Sequence, residues 1–249
     1  MRALCYAQTN IGSGRDNNED NYYCNGTFKR DPAIPVAEAA AEQESRRLIY
    51  GVFDGMGGEA NGEQAALLCA QTLHQCSSDE PFDALDFFRR ANVAVCDMIA
   101  ASGQIGGSTA ATVHLTGNRA YCCNVGDSRA YHFTREDVSL VTRDHSMVAY
   151  MVERGELTQE QAKLHPGKNV ITRAVGTEPE VEGDVFICKL RKEECILLCS
   201  DGLSNEMADQ EMLFEVVHGM SKSDCCQRLL HIAKKRGAPD NVTVALAAV

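Results

Sequence analysis

No run of 18 apolar residues occurs anywhere in the 249-residue chain, so neither a membrane-spanning helix nor membrane insertion is expected. No C-x-x-C pair is present, and no two cysteines share metal-ligand spacing with a histidine, which argues against zinc. No apolar leader region follows Met1. The twelve cysteines, with Cys122–Cys123 and Cys225–Cys226 vicinal, are therefore expected to be reduced, small buried hydrophobes of a cytoplasmic protein. Basic clusters are missing apart from Lys234, Lys235 and Arg236, and the net charge of −11 disfavours nucleic acid and anionic membranes. No D-x-D-x-D loop is present, which argues against a calcium-binding structural protein. No internal repeat of solenoid period exists either.

What is there is an ordinary globular composition, 44% hydrophobic and 24% charged, long enough for one enzyme-sized domain over residues 1–249. A monomer is expected. Strands are predicted over Cys5–Asn10, Tyr22–Asn25 and Leu48–Phe53, the last a nearly continuous apolar run. Helices follow over 62–76 and 82–101, the second with Phe88, Ala91, Val95, Met98 and Ile99 on one face. Residues 109–133 alternate apolar and polar side chains around Gly117–Asn118 and Gly126–Asp127, the pattern of a three-stranded meander. Residues 144–162 are helical in pattern and precede a loop holding Pro166. A second apolar strand, 194–200, leads to two helices, 205–218 and 223–236, and to a closing strand "NVTVALAAV". Residues 28–47, with two prolines and an Ala/Glu stretch, read as a variable surface insertion. Two groups of strands, each followed by a helix pair, predict an α+β fold of two packed antiparallel sheets with helices outside.

The chain uses one local design twice: a buried strand, then Asp, then Gly, at Phe53-Asp54-Gly55 and at Ser200-Asp201-Gly202. A carboxylate at the end of a buried strand is partly desolvated and needs a cation or several donors. Asp240 stands at the start of the last strand, where antiparallel pairing can bring it beside the ends of its neighbours. Glu19–Asp20 precedes the strand at Tyr22, and Asp127 sits in the Gly126 turn. Oxygen-only ligands suit hard cations, Mg²⁺ or Mn²⁺. Two such ions about 4 Å apart activate a shared water toward a phosphorus or carbonyl centre. Arg15, four residues before Glu19, offers a planar fork for the phosphate oxygens.

These residues fall in an ordered series: "GRDNNED", "VFDGMGG", "GGSTA", "NVGDSRAY", "TRDHS", "NVITRAVG", "LLCSDGL" and "PDNVTV". In that order, over essentially the whole chain, they resemble the metal-dependent protein phosphatases of the 2C type, particularly the compact bacterial members. The resemblance implies a four-layer α-β-β-α sandwich with a small flap subdomain at about 146–172. It implies hydrolysis of phosphoserine and phosphothreonine in proteins by direct attack of metal-activated water, without a phosphoenzyme. By motif position Asp54 would bridge two Mn²⁺ or Mg²⁺ ions, Gly55 would ligate through its carbonyl, and Asp201 and Asp240 would complete the pair. Asp20 would act through water, Asp127 with Asp201 would hold a weaker third ion, and Glu19 and Asn241 would support the ligands from behind. Arg15 would grip the substrate phosphate. The implied partners are phosphorylated proteins and a Ser/Thr protein kinase whose action the enzyme reverses. Met56 follows Gly55 where animal relatives often place a histidine as candidate proton donor, and a thioether cannot donate a proton.

Two rival functions and several rival residue roles are defined by the same sequence. Cys123 and Arg129 have the Cys, five residues, Arg spacing of thiol-based phosphatases, which require a low-pKa thiolate. A phosphoprotein-binding module of the same fold would lack turnover. His145 in "TRDHS" invites a role as general acid, against the plainer one of a hydrogen-bonded structural residue. His165 is a weaker candidate of the same kind, and Ser108 and Thr109 lack a motif-level base.

Overall fold

The computed structural model describes residues 3–43, 47–57 and 61–248. Gly58 of the glycine turn, residues 44–46 of the expected insertion and the two chain ends lie outside them. One six-stranded sheet holds, in spatial order, Val138–Leu140 (β11), Arg129–Phe133 (β10), Cys195–Cys199 (β13), Val242–Ala248 (β14), Ala3–Asn10 (β1) and Val36–Gln43 (β4). The other holds Asp184–Lys189 (β12), Arg119–Val125 (β9), Ala110–Thr116 (β8), Arg47–Phe53 (β5), Asn21–Cys24 (β2) and Thr27–Phe28 (β3). A short ribbon pairs Gly55–Met56 (β6) with Gly107–Ser108 (β7). All neighbouring strands are antiparallel. The expected α+β sandwich of two antiparallel sheets is the fold observed.

Strand alternation explains why β5 and β13 read as continuous apolar runs: both of their faces are buried. Leu48, Tyr50 and Val52 of β5, with Ile196 and Leu198 of β13 and Ala245 and Ala247 of β14, fill the layer between the sheets. Ile49 and Phe53 point the other way, against Asn61–Cys76 (α1) and Ala84–Ser102 (α2) through Ala66, Leu73, Phe87 and Ala91. Leu197, Val244 and Leu246 face Asp209–His218 (α6) and Lys222–Lys235 (α7) through Met212, Val216, Leu229 and Ala233. Each such buried aliphatic or aromatic side chain contributes about 1.5–3 kcal/mol. The helix ends are set locally. Asp83 caps α2 by accepting from the Leu85 and Asp86 N–H groups, and Gly103 closes it in the left-handed conformation.

Three sequence expectations change. The meander over 109–133 breaks at its second turn: β8 pairs with β9, but β10 pairs with β11 and β13 in the opposite sheet. Gly126, at φ +99°, turns the chain across the gap between the sheets. The helix expected over 144–162 is two short ones, Met147–Glu153 (α3) and Gln159–Leu164 (α4), because Gly155 (φ +72°) falls between them and Thr158 opens a new capping box with Gln161. The segment 28–47, read as a surface excursion, contains the end of β3 and the whole of β4, which pairs with β1 from Ala3↔Gln43 to Asn10↔Val36. Its Ala/Glu alternation is that of an edge strand with one covered face, and the helix-favouring composition hides it.

Candidate functional site

The acidic residues gather because several strands end at the same edge of the sandwich. Asn21 pairs with Phe53, so Asp20 and Asp54, one residue beyond each, are neighbours at that edge. On the same strands Tyr22, Tyr50 and Val52 face the inter-sheet layer, and alternation aims the aspartates the same way. In the opposite sheet Cys199 pairs with Val244, and the Ser200 N–H donates to the Thr243 carbonyl at 3.0 Å. Asp201 therefore leaves one strand where Asp240 enters the next. It starts a single helical turn, Asp201–Ser204 (α5), instead of a bare Asp–Gly turn. The crossing at Gly126 delivers Asp127 to the same place.

Five carboxylates thus act on one another, with Asp54 influenced by Asp20, Asp201, Asp127 and Asp240. Burial, and then these neighbours, hold the Asp54 carboxyl well above the ordinary aspartate range. Among the described residues none donates a hydrogen bond to its carboxylate. Its backbone is pinned instead, by N–H donation to Thr109 Oγ1 at 3.1 Å and by the Thr109 N–H at 2.8 Å to its carbonyl. Asp20 is 1% exposed. Its Oδ2 accepts from Ser200 Oγ at 2.8 Å and Thr243 Oγ1 at 2.6 Å, while its Oδ1 is buried without a partner. Burial outweighs the two hydroxyl bonds and, with Asp240 and Asp201 nearby, pushes its carboxyl up to about 7. Asp127 is likewise raised to about 7 by burial and Asp201, and Asp201 to about 6 by burial and Asp240.

The remaining predicted residues frame this cleft. The Asn241 carboxamide accepts from the Glu19 N–H at 2.8 Å and donates to the Ile11 and Asn17 carbonyls at 2.9 Å, tying the "GRDNNED" loop to the last strand. Asn17 in turn donates to Glu63 Oε2 at 2.6 Å and to Glu19 Oε1 at 3.3 Å. Burial raises the Glu19 carboxyl. A Cβ on Gly55 would collide with the carbonyl oxygens of Gly62 and Glu19, so only glycine lets β6 lie this close. Arg15 is at the rim and half exposed, and its Nη2 donates to Asp240 Oδ2 at 2.7 Å.

Every donor in the cluster is oxygen, the set that hard divalent cations take. The orphaned Asp20 Oδ1, and the repulsion that four carboxylates exert on Asp54, are what a cation would satisfy. Among the described residues no three acidic, histidine or cysteine side chains already close around one point. Protein donors hold several of the carboxylates apart: Arg15 on Asp240, Asn205 on Asp201 at 3.0 Å, and the two hydroxyls on Asp20. The donor set fits a cation; closing on one requires those bonds to be exchanged.

The thiol reading fails here. Cys123 is 2% exposed on β9 and burial pushes its thiol up to about 12, the opposite of a thiolate nucleophile. Arg129 is committed to Asp144 by contacts of 2.7–3.1 Å from Nε and Nη2. His145 is buried; its Nδ1 accepts from the Gly126 N–H at 3.1 Å, and its Nε2 lies 3.4 Å from Asp184 and 3.2 Å from Arg173. Burial and Arg173 lower its pKa. Ser108 and Thr109 serve the backbone around Asp54 and show no base. The residues that motif reading missed are Ser200, Thr243 and Lys29. The first two could have been found, being polar at positions whose strand alternation points between the sheets; a lone lysine in a polar stretch gives no such signal.

Residues 6–150 match the family model described as "Protein phosphatase 2C". The serine/threonine protein phosphatase PstP of Mycobacterium tuberculosis is 32% identical over 98% of this chain, which spans 44% of that relative's length. The serine/threonine phosphatase stp of Listeria welshimeri is 28% identical over 96% of this chain and 93% of its own. A crystal structure of the PstP catalytic domain in complex with two manganese ions superposes with a TM-score of 0.79 at 31% identity, covering 100% of this chain and 99% of that one. No helix among the described residues is long and apolar enough to cross a membrane. With the family model covering more than half of the residues and the carboxylate edge built from the same motifs, the chain belongs to the protein phosphatase 2C family.

Proposed function

We propose that this protein hydrolyses phosphoserine and phosphothreonine in other proteins, and that divalent cations at the carboxylate cleft are required. The observation that carries the reading is the buried, unpartnered Asp20 Oδ1 beside Asp54, in a cluster of five mutually repelling carboxylates. Mn²⁺ is the ion we favour because the PstP domain binds two manganese ions; Mg²⁺ meets the same donor chemistry. Asp54 would bridge two ions, with the Gly55 carbonyl, Asp201 and Asp240 completing their protein ligands. Asp127 with Asp201 would hold a third, and Asp20 would act through intervening water. Such ions supply an activated water and neutralise the phosphoryl charge.

The chain's own residues then have separable tasks. The β5–β8 backbone pairing and Thr109 fix where Asp54 stands, and Ser200 and Thr243 fix Asp20. Asn241 and Glu19 hold the loop that carries Arg15. Arg15 would bind the non-bridging phosphate oxygens bidentately and orient the ester for attack. The segment 146–172, with α3 and α4, would form a flap beside the cleft on an otherwise single 1–249 domain. The setting we propose is the cytoplasm, acting as a monomer on the targets of a Ser/Thr kinase.

The test is turnover of phosphothreonine and phosphotyrosine peptides with Mn²⁺, with Mg²⁺ and with excess EDTA. Metal-dependent release of phosphate from the phosphothreonine peptide is expected, and activity that survives EDTA would refute the reading.

A further inference from the structure

A buried lysine lies behind the carboxylate cleft, and neither the family motifs nor the proposed reaction uses it. Lys29 is 3% exposed. The turn at Asn25 and Gly26 reverses the chain after β2, and Asn21 then clamps the Lys29 backbone from both sides: its Nδ2 donates to the Lys29 carbonyl at 2.9 Å and its Oδ1 accepts the Lys29 N–H at 3.0 Å. The side chain is thereby directed inward, and Nζ donates to the Asn18 carbonyl at 2.6 Å. Asn18 in turn accepts the Asp20 N–H on Oδ1 at 3.1 Å. The ammonium, its carbonyl acceptor and the orphaned carboxylate are thus linked through three residues that flank the β2–β3 hairpin.

Burial opposes the charge on Lys29 and lowers its pKa, while Asp20, Glu63 and Asp31 favour it. Among the described residues no carboxylate forms a direct ion pair with it; the carboxylates act on it at a distance. The other cations that reach the cleft are committed, Arg15 to Asp240 and Arg129 to Asp144. Burying an ammonium is costly unless something compensates it, and the uncompensated groups nearby are carboxylates. We propose that Lys29 is a positioning residue: a resident positive charge that holds the Asn18–Asp20 segment and offsets the repulsion among the carboxylates before cations arrive. The cation part of this proposal rests on the function proposed above; the charge-offset part does not.

The experiment is a double-mutant cycle on the full chain in EDTA at pH 8, using Lys29→Met and Asp20→Asn, with Lys29→Arg as the charge-keeping control. If the two charges offset each other, Lys29→Met lowers the melting temperature of the otherwise wild-type protein by about 4 °C or more. In the Asp20→Asn background the same substitution leaves the melting temperature unchanged or raises it, because the lysine there is the uncompensated group. Lys29→Arg retains most of the wild-type value. An equal loss from Lys29→Met in both backgrounds would show a shape-filling role and overturn the proposal. Calorimetric titration of the metal-free proteins with Mn²⁺ gives the second readout. Removing a nearby positive charge should tighten Mn²⁺ binding about 3- to 10-fold, and weaker binding by Lys29→Met would also overturn it. Failure of the wild type to bind Mn²⁺ sinks the metal reading instead, and the EDTA cycle still decides the role of Lys29.

Discussion

Arg15 and Asp240, 225 positions apart in sequence, are joined by a 2.7 Å ion pair at the rim of the acidic cleft. One partner is the residue expected to hold phosphate and the other a residue expected to hold a cation, so the pair links the two tasks. Under the proposed function, a cation at Asp240 would compete with Arg15 for the same carboxylate and would free the guanidinium for the substrate. Arg15→Ala should therefore lower kcat/KM on a phosphothreonine peptide by about 10- to 100-fold, the worth of one charged hydrogen-bonding interaction of about 1.5–3 kcal/mol. Mn²⁺ affinity should stay level or increase in the same variant. A parallel loss of metal affinity would show that Arg15 shapes the cleft and does not bind the ester.

Asp54 tests the centre of the cluster. Its carboxylate receives no hydrogen bond among the described residues and is repelled by four others, so it contributes strain to the metal-free fold. Asp54→Asn keeps the side-chain shape and removes the charge. Turnover should fall on the order of 10³-fold or more, while the melting temperature in EDTA stays level or rises. Retention of turnover would remove Asp54 from the chemistry, and collapse of the fold would mean that its role is structural.

The raised carboxyls give a pH dependence whose sign follows from linkage. Burial lifts Asp20 from its ordinary 3.8 to about 7 and Asp127 likewise, so the folded protein keeps protons that the unfolded chain releases. The stability they contribute is present in full below pH 3.8 and is lost as pH rises toward about 7. Melting curves in EDTA should show the cleft as a destabilising element from pH 5 to pH 8, and Asp20→Asn should flatten that trend. Added Mn²⁺ should raise the melting temperature more at pH 8 than at pH 5, with proton release on binding near pH 6 to 7. A metal effect that is independent of pH would contradict a cation held beside these carboxyls.

Much of this site could be read from residue order alone, because strand alternation extends past the strand ends. Asp20, Asp54 and Asp240 flank buried apolar strands whose antiparallel pairing brings them to one edge, and that edge is where they are found. Asp127 was legible as a turn residue, but its position was not. A Gly–Asp turn inside an alternating segment looks like a hairpin, whereas this one passes between sheets, and only pairing with β13 reveals it. Strand β4 was hidden by an Ala/Glu composition with helical propensity, overridden by a neighbour that needs an edge partner. The Arg15–Asp240 pair and the inward turn of Lys29 depend on side-chain placement, on which periodicity is silent.

His145 separates proton donation from positioning. Its Nδ1 accepts the Gly126 N–H, and its backbone N–H donates to the Gly126 carbonyl at 2.9 Å, so the residue fixes the turn that presents Asp127. With Nδ1 accepting, the ring proton is on Nε2, toward Asp184. Burial and Arg173 lower its pKa, which disfavours the imidazolium that a general acid at the cleft would need. An asparagine carboxamide can place an acceptor near the Nδ1 position, so His145→Asn should retain most of the turnover and the shape of the pH profile. His145→Ala leaves the Gly126 N–H without that acceptor, a loss of about 1–3 kcal/mol, and should lower both the melting temperature and the affinity of the Asp127 site for Mn²⁺. If His145 were the general acid, both variants would lose turnover equally and the basic limb of the pH profile would move.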